Sequence, residues 1–455
     1  MSEERTSLLA RTGIRMADAC ERYFPDAFLF ALAAIIVVFA GGVSIGVRPS
    51  TLVAEFGSGF WSLVNFTMQM MIIIVGGFVV ASSPPVARLT ERLAAIPRNG
   101  RTAVAFVALF ATLSSLISWG LSLIFTGLLV REICRRIPDV DYRAIGAASY
   151  MGLGSVWALG LSSSSALMQA TPSAIPPALL PITGVIPLTQ TIFLWQSVLM
   201  AFVLIVLSVA VAYSSAPAGR DAKTAAEMGI TFEPMTIERT ESRTPAERLE
   251  ENPLFTIVIA ALMFAYLFQQ LRAKGGLAAV DLNNLNFAFI ALGLLLHWRP
   301  RSFLRAVAKS VPAVAGVLIQ FPFYGGIFGM VAKTPISERL ADFFVNITTR
   351  DTFPVVIALY SALLDMVVPS GGGKWVIEAP YVMAAAKQWG VHPGWTIQVY
   401  NASESVTNLL NPFWMLPLMG ILNVRARDLA GYAILQFLFQ APVVLFLCWI
   451  LAYTF

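Results

Sequence analysis

Residues Pro369 to Trp375 read PSGGGKW. Three consecutive glycines inside a helix would cost roughly 1 kcal/mol each relative to alanine. The run is better suited to a turn with exposed N–H groups and room for close approach. A helix starting there would offer unpaired N–H groups and partial positive charge, which suits a carboxylate. Ser370, Gly371, Gly372, Gly373, Lys374 and Trp375 are therefore candidate binding residues for a small organic anion. Close helix packing through small residues is the competing account. Proline, glycines and a lysine coinciding in an apolar run favour the site. Lys374 has two readings, as counter-charge to a bound carboxylate or as partner of Asp365 or Glu378 in a salt bridge, and the sequence weighs them equally.

Three other constellations have the same character. SLISWGLS places Ser118, Trp119 and Gly120 in the middle of an apolar run. GLGSVWALGLSSSSALMQATP holds Ser162, Ser163, Ser164 and Ser165, then Thr171 and Pro172. Hydroxyls grouped in this way bind a carboxylate, a carbonyl or a cation, or satisfy the backbone of a kinked helix. NASESVTNLLNPFW carries Glu404, Thr407, Asn408, Asn411 and Pro412. Asn408 and Asn411 join the candidate binding set. Glu404 is an ionisable group in an apolar span, so it and Thr407 are candidates for a coupling ion, Na⁺ or H⁺. Trp119, Trp157, Trp375 and Trp414 are candidates for an apolar wall, with ordinary packing an equal reading. Cys20, Cys134 and Cys448 have neither disulfide nor zinc spacing, and His297 and His392 stand alone. No HExxH or GxSxG motif is present. No metal or cofactor is expected, and a membrane-embedded enzyme is a remote alternative.

Such residues must be positioned by membrane helices. Only 13% of the 455 residues are charged, against about 25% in soluble proteins, and mean hydropathy is +0.73. Lipid has to be the solvent. Apolar runs of about 20 residues, such as 27–47, 60–82 and 429–454, fit helices rather than the shorter alternating strands of a barrel. The net charge of +5 reads as basic loops on the cytoplasmic side rather than as nucleic-acid binding. Residues 1–24 read as a cytoplasmic amphipathic helix and not as a signal peptide.

The run 102–130 has basic residues at both ends, Arg98 and Arg101 before it and Arg131, Arg135 and Arg136 after it. Both ends should therefore face the cytoplasm, and 29 residues fall short of the roughly 40 that two crossings need. A re-entrant hairpin turning at Ser118–Gly120 is the economical reading. Non-helical backbone at that depth is tolerated only where it is buried in protein or lines a cavity. A second hairpin is expected at 352–386. The polar segment 214–252 divides the chain into a first repeat, 25–213, and a second, 253–455. Each has two spans, a hairpin, an interrupted span and a last span. NFTMQMMIIIVGG (65–77) is loosely echoed by GVLIQFPFYGGIFG (316–329). The hairpins open from opposite sides, so the expected fold is an all-α polytopic membrane protein of two inverted repeats, with about nine spans plus two hairpins. In such folds the binding site lies at the midplane.

These motifs carry a resemblance to the bacterial short-chain fatty acid transporters, the butyrate and acetoacetate uptake permeases. It runs from about Arg22 to the C-terminus. It rests on FPDAFLFAL (24–32), GFW (59–61), MQM (68–70), SWGLSLIFTGLLVREICRRIPDVDY (118–142), ATP (170–172), ERLEENP (247–253), LIQFPFYGGI (318–327), DTFPV (351–355), VPSGGGKWVIEAP (368–380) and NPFWMLP (411–417). Lys374 and the serine run 162–165 depart from the usual pattern of the family. The resemblance implies a scaffold region, a mobile region carrying both hairpins, a homodimer and elevator-like movement. The expected function is secondary transport of short-chain monocarboxylates across a bacterial inner membrane, with the N-terminus cytoplasmic. The alternative in the same class is a carrier of dicarboxylates or other small anions, for which a second cationic contact would be expected.

Overall fold

The computed structural model describes residues 27–217, 222–232, 244–366 and 368–455. The expected N-terminal amphipathic helix and part of the linker lie outside these residues. Among them the chain is helical, without strands. We number the helices of seven or more residues. The first half holds α1 (Ala27–Ser44), α2 (Pro49–Ser62), α3 (Val64–Ala81), α4 (Pro84–Leu93), α5 (Gly100–Ile117), α6 (Trp119–Arg136), α7 (Tyr142–Met151), α8 (Ser164–Ala170) and α9 (Trp195–Ser215). The second holds α10 (Pro253–Lys274), α11 (Leu282–His297), α12 (Pro300–Ala332), α13 (Ile336–Ile347), α14 (Phe353–Asp365), α15 (Gly371–Gln388), α16 (Pro393–Thr407), α17 (Leu416–Leu422) and α18 (Ala426–Ile450).

Among the described residues, seven helical stretches are long and apolar enough to cross a bilayer, and three shorter apolar helices accompany them. Outside the hairpins α5–α6 and α14–α15, the apolar units are α1, α2–α3, α7–α8, α9, α10, α11, α12, α16–α17 and α18. The packing partners recur between the halves. α5 packs on α7 and α9 as α14 packs on α16 and α18, and α3 meets α6 as α12 meets α15.

Several boundaries differ from expectation. The first hairpin spans Gly100 to Arg136 rather than 102–130. Each arm has 18 residues, about 27 Å of helix, so length does not decide how deep it reaches. The basic flanks remain the argument for re-entry. Its turn is also tighter than expected. Ser118 alone is extended, and Trp119 and Gly120 already belong to α6. The segment between the first two spans is helix α2, because Pro49 at its start suits a first helical turn. Glu55 on α2 then meets Lys333 at 3.1 Å. The sequence places a span at 310–332 after an inner loop, but helix α12 begins at Pro300, ten residues earlier, so Arg301, Arg305 and Lys309 lie on a helix rather than in a loop. Arginine and lysine are good helix formers, and charge marked the side of the membrane better than it marked the helix end. The sequence puts Arg272 and Lys274 on the outer side, against the positive-inside rule and partly offset by Asp281, and Lys274 pairs with Asp281 at 2.9 Å.

α12 crosses α2 at glycines. A Cβ on Gly329 would stand 2.1 Å from the Glu55 carbonyl oxygen, and one on Gly59 would stand 2.4 Å from that of Gly325. Backbone cannot yield as a side-chain tip can, so no larger residue fits. Gly329→Ala is expected to destabilise the protein by about 1–3 kcal/mol, read as an earlier thermal unfolding transition in detergent. An unchanged transition would mean that the crossing is loose.

Candidate substrate-binding site

Both hairpin turns and both interrupted helices converge on one cavity. It is lined by Met70, Ile74, Trp119, Leu153, Trp157, Ser164, Val317, Phe321, Ser370, Gly371, Gly372, Asn408 and Trp414. The empty space it encloses is about 430 Å³ when the open mouth is included.

Local sequence explains each wall. In the first interrupted helix α7 ends at Met151, and a wide turn (Gly152–Val156) and a tight one (Trp157–Leu159) follow. Gly152 and Gly160 press on the carbonyls of Ala111 and Leu116 in α5, where a Cβ would come within 2.2 and 2.4 Å. The helix restarts at Ser164, with Ser163 capping it by accepting from the Ala166 N–H at 3.2 Å. In the second hairpin α14 ends at Asp365, and Ser370 caps α15 by accepting from the Gly373 N–H at 3.2 Å. The first-turn N–H groups of Gly371 and Gly372 have no intrahelical acceptor, and both residues line the cavity. Trp414 donates to the Pro369 carbonyl at 3.1 Å and meets Trp119 edge-on at 5.2 Å. This one side chain joins the second interruption to both hairpin turns.

Two polar atoms at the cavity are buried without a hydrogen-bond partner, Trp157 Nε1 and Asn408 Oδ1. With the Ser164 hydroxyl and the α15 N-terminus they form a short set of neutral polar groups in an otherwise apolar and aromatic box. No charged side chain lines the cavity among the described residues. Neutral donors at a helix N-terminus hold one carboxylate, and the aromatic walls suit a short apolar tail.

The candidate residues thus divide by position. Trp119, Ser164, Ser370, Gly371, Gly372 and Asn408 line the cavity, as do Trp157 and Trp414 of the expected wall. Ser118 caps α6 by accepting from Leu121 N–H at 3.4 Å, and Gly120 packs near Ile74. Ser162 donates to the Ser115 carbonyl, and Ser165 bonds the Asn401 side chain. Thr171 accepts from the Leu282 N–H at 2.9 Å, which ties the end of α8 to the start of α11. Pro172 is exposed, and Asn411 is buried beyond the lining residues. Gly373 packs within 2.5 Å of the Tyr324 ring, measured from a built Cβ. Trp375 is fully buried against Tyr400 and donates to Gln169 Oε1 at 3.4 Å, away from the cavity. Glu404 and Thr407 belong to the last turn of α16 and not to the interruption. The Thr407 hydroxyl donates to the Ser403 carbonyl at 2.6 Å.

Lys374 does not reach the cavity. It is fully buried and donates to the Ser361 carbonyl at 2.8 Å. Its Nζ stands 3.7 Å from Asp365 Oδ1, 3.6 Å from Glu378 Oε1 and 4.5 Å from the Tyr400 ring centre. Of its two readings the structure displays the salt bridge, with both carboxylates at once. Ser361 also donates to Glu378 Oε2 at 2.6 Å, so this cluster fastens α14 to α15 behind the binding turn.

Reasoning on single motifs missed Met70, Ile74, Leu153, Val317 and Phe321. The internal echo between 65–77 and 316–329 contains four of them, Met70 and Ile74 from one copy and Val317 and Phe321 from the other. That echo was the available signal.

This fold, helical with hairpins and broken helices around a central cavity, is that of a membrane transporter. The YdaH transporter of Alcanivorax borkumensis, whose crystal structure has an unusual topology, superposes with a TM-score of 0.60 at 13% identity, covering 93% of this chain and 98% of that one. MtrF of Neisseria gonorrhoeae, described as illuminating a class of antimetabolite efflux pumps, superposes with a TM-score of 0.60 at 14% identity, covering 97% of each chain. At such identities the likeness is one of fold. Residues 8–451 match the family of short chain fatty acid transporters, and the chain belongs to that family. Two relatives provisionally named short-chain fatty acid transporter cover nearly its whole length. The Escherichia coli K12 protein is 33% identical over 441 residues, 96% of this chain and 98% of its own. The Haemophilus influenzae protein is 30% identical over 444 residues, with the same coverage. The protein is thus a transporter and not an enzyme.

Proposed function

We propose that the protein is a secondary active carrier of short-chain monocarboxylates, of the butyrate and acetoacetate type, in a bacterial inner membrane. The observation that carries this is the cavity itself. It offers a few neutral polar groups, Gly371 and Gly372 at the start of α15, Ser164, Ser370, Trp157 Nε1 and Asn408, among aromatic and aliphatic walls. One carboxylate and a short apolar tail satisfy it. A dicarboxylate would bring a second charge to a box whose nearest cation, Lys374, is already held by Asp365 and Glu378.

The recurring packing of the two halves and the basic flanks of the first hairpin support an inverted repeat with re-entrant hairpins, the N-terminus being cytoplasmic. Movement of the hairpin-bearing body past a scaffold containing α2, α3 and α12, in a homodimer, would carry the cavity from one face to the other. The coupling ion is Na⁺ or H⁺.

Labelled acetoacetate should accumulate in proteoliposomes under an imposed Na⁺ or pH gradient, above the level in protein-free vesicles. Unlabelled butyrate should compete and succinate should not. Accumulation under neither gradient, or equal competition by succinate, would overturn this reading.

A further inference from the structure

Behind the binding turn lie more acids than bases. Asp365, Glu378 and Glu404 are each at most 2% exposed, and Lys374 is the one cation among them. Asp365 Oδ1 and Oδ2, Glu378 Oε1 and Glu404 Oε2 all lack a hydrogen-bond partner. Lys374 stands beside Asp365 and Glu378, at 3.7 and 3.6 Å. Glu404 has no ion pair within 4 Å among the described residues. The Tyr400 hydroxyl and the Lys374 charge act on it, yet a buried carboxylate without a close cation is still disfavoured as an anion.

Glu404 also lies close to a residue of the cavity wall. A Cβ built on Gly371 would lie 2.7 Å from its Oε1 and 3.1 Å from its Oε2. Gly371 itself lines the cavity, and its carbonyl accepts from the Tyr400 hydroxyl at 2.6 Å. A negative charge at Glu404 therefore sits one residue's thickness from the place where an anion would meet the α15 N-terminus.

On the monocarboxylate reading above, we propose that Glu404 carries the coupled proton. The proton passes from the outer solution to the Glu404 carboxylate, the substrate anion then binds in front of Gly371, and both leave on the inner side. A neutral Glu404 removes the repulsion that would oppose the anion, so each ligand strengthens the binding of the other. The titratable groups facing it are Lys374 and Glu378 on α15, Asp365 at the end of α14 and Tyr400 on its own helix, with Tyr150 of α7 acting on Asp365. The Lys374 ammonium already fills the position between carboxylates that a metal cation would take. No group of three or more acidic, His or Cys residues is arranged to hold a metal among the described residues. Carboxylate oxygens without a partner are the natural place for a proton in this cluster.

The test is butyrate binding in detergent, without sodium, followed by the fluorescence of the tryptophans at the cavity. It is run above the pH range in which butyrate itself titrates. Wild-type affinity should fall about tenfold per pH unit once the proton is lost. Glu404→Gln should bind with a constant affinity near the wild-type low-pH value. Infrared spectroscopy at neutral pH, with no ligand present, should show a protonated-carboxyl C=O band that is weakened in Glu404→Gln. This second readout separates the proposal from the functional reading, which fails if butyrate binds at no pH. Parallel pH slopes in the two proteins, a pH-independent wild type whose affinity rises with Na⁺, or the absence of the protonated band would each overturn it.

Discussion

Replacing Gly372 by leucine is expected to reduce uptake to the level of empty liposomes while the protein remains folded in the membrane. A Cβ at this position would lie 2.6 Å from Phe66 Cζ and 3.2 Å from Ser164 Cβ. The remaining leucine carbons have only the cavity to occupy, at the N–H groups we assign to the carboxylate. Displacement of reacting or bound groups by about 1 Å costs enzymes roughly 10²-fold, and a comparable loss or more is expected here. The fold should survive because α14 and α15 are fastened behind the turn by Lys374, Ser361 and Glu378. Gly57→Ala provides the control, since nothing stands within 4 Å of a Cβ there. Normal uptake by Gly372→Leu, measured beside a normal size-exclusion profile, would remove the turn from the binding site.

Lys374→Met should instead act on stability. Removing one member of a buried ion pair leaves the others uncompensated, at about 3–5 kcal/mol. Here two carboxylates lose their partner together. The expected result is a large drop in the thermal transition in detergent. The double variant Lys374→Met/Glu378→Gln, which removes one of the stranded charges, should recover part of it. If Lys374→Met melts as wild type does, the cluster does not fasten the hairpin. If it melts normally and also loses substrate affinity, the lysine serves the substrate directly.

The neutral cavity and the acid-rich layer behind it suggest a division of labour within a few residues of α15. Gly371 and Gly372 line the cavity, while Lys374 and Glu378 join α15 to α14. Successive positions on a helix point in different directions, so one short motif serves both surfaces.

Composition and apolar run length determined that the chain is helical and spans a membrane, because a chain so poor in charge has no other way to be solvated. Glycine, serine and proline marked where helices break, at 118, 152–163 and 366–370, and Pro412 stands just past the break at 408–411, because these residues tolerate non-helical backbone. The sequence also showed where chemistry was concentrated, in PSGGGKW above all. It could not show which way each side chain faces. Ser164 lines the cavity while Ser162, Ser163 and Ser165 bond other backbone and side chains, and nothing in four identical residues distinguishes them. Lys374 was equally open, as its partners depend on how α14 folds back on α15. Met70 and Phe321 reach the cavity from α3 and α12, far along the chain, and their apolar types are those of any membrane helix. Residue type locates a possible site along the chain, whereas helix rotation and long-range packing, which only the tertiary structure displays, decide which members meet a ligand.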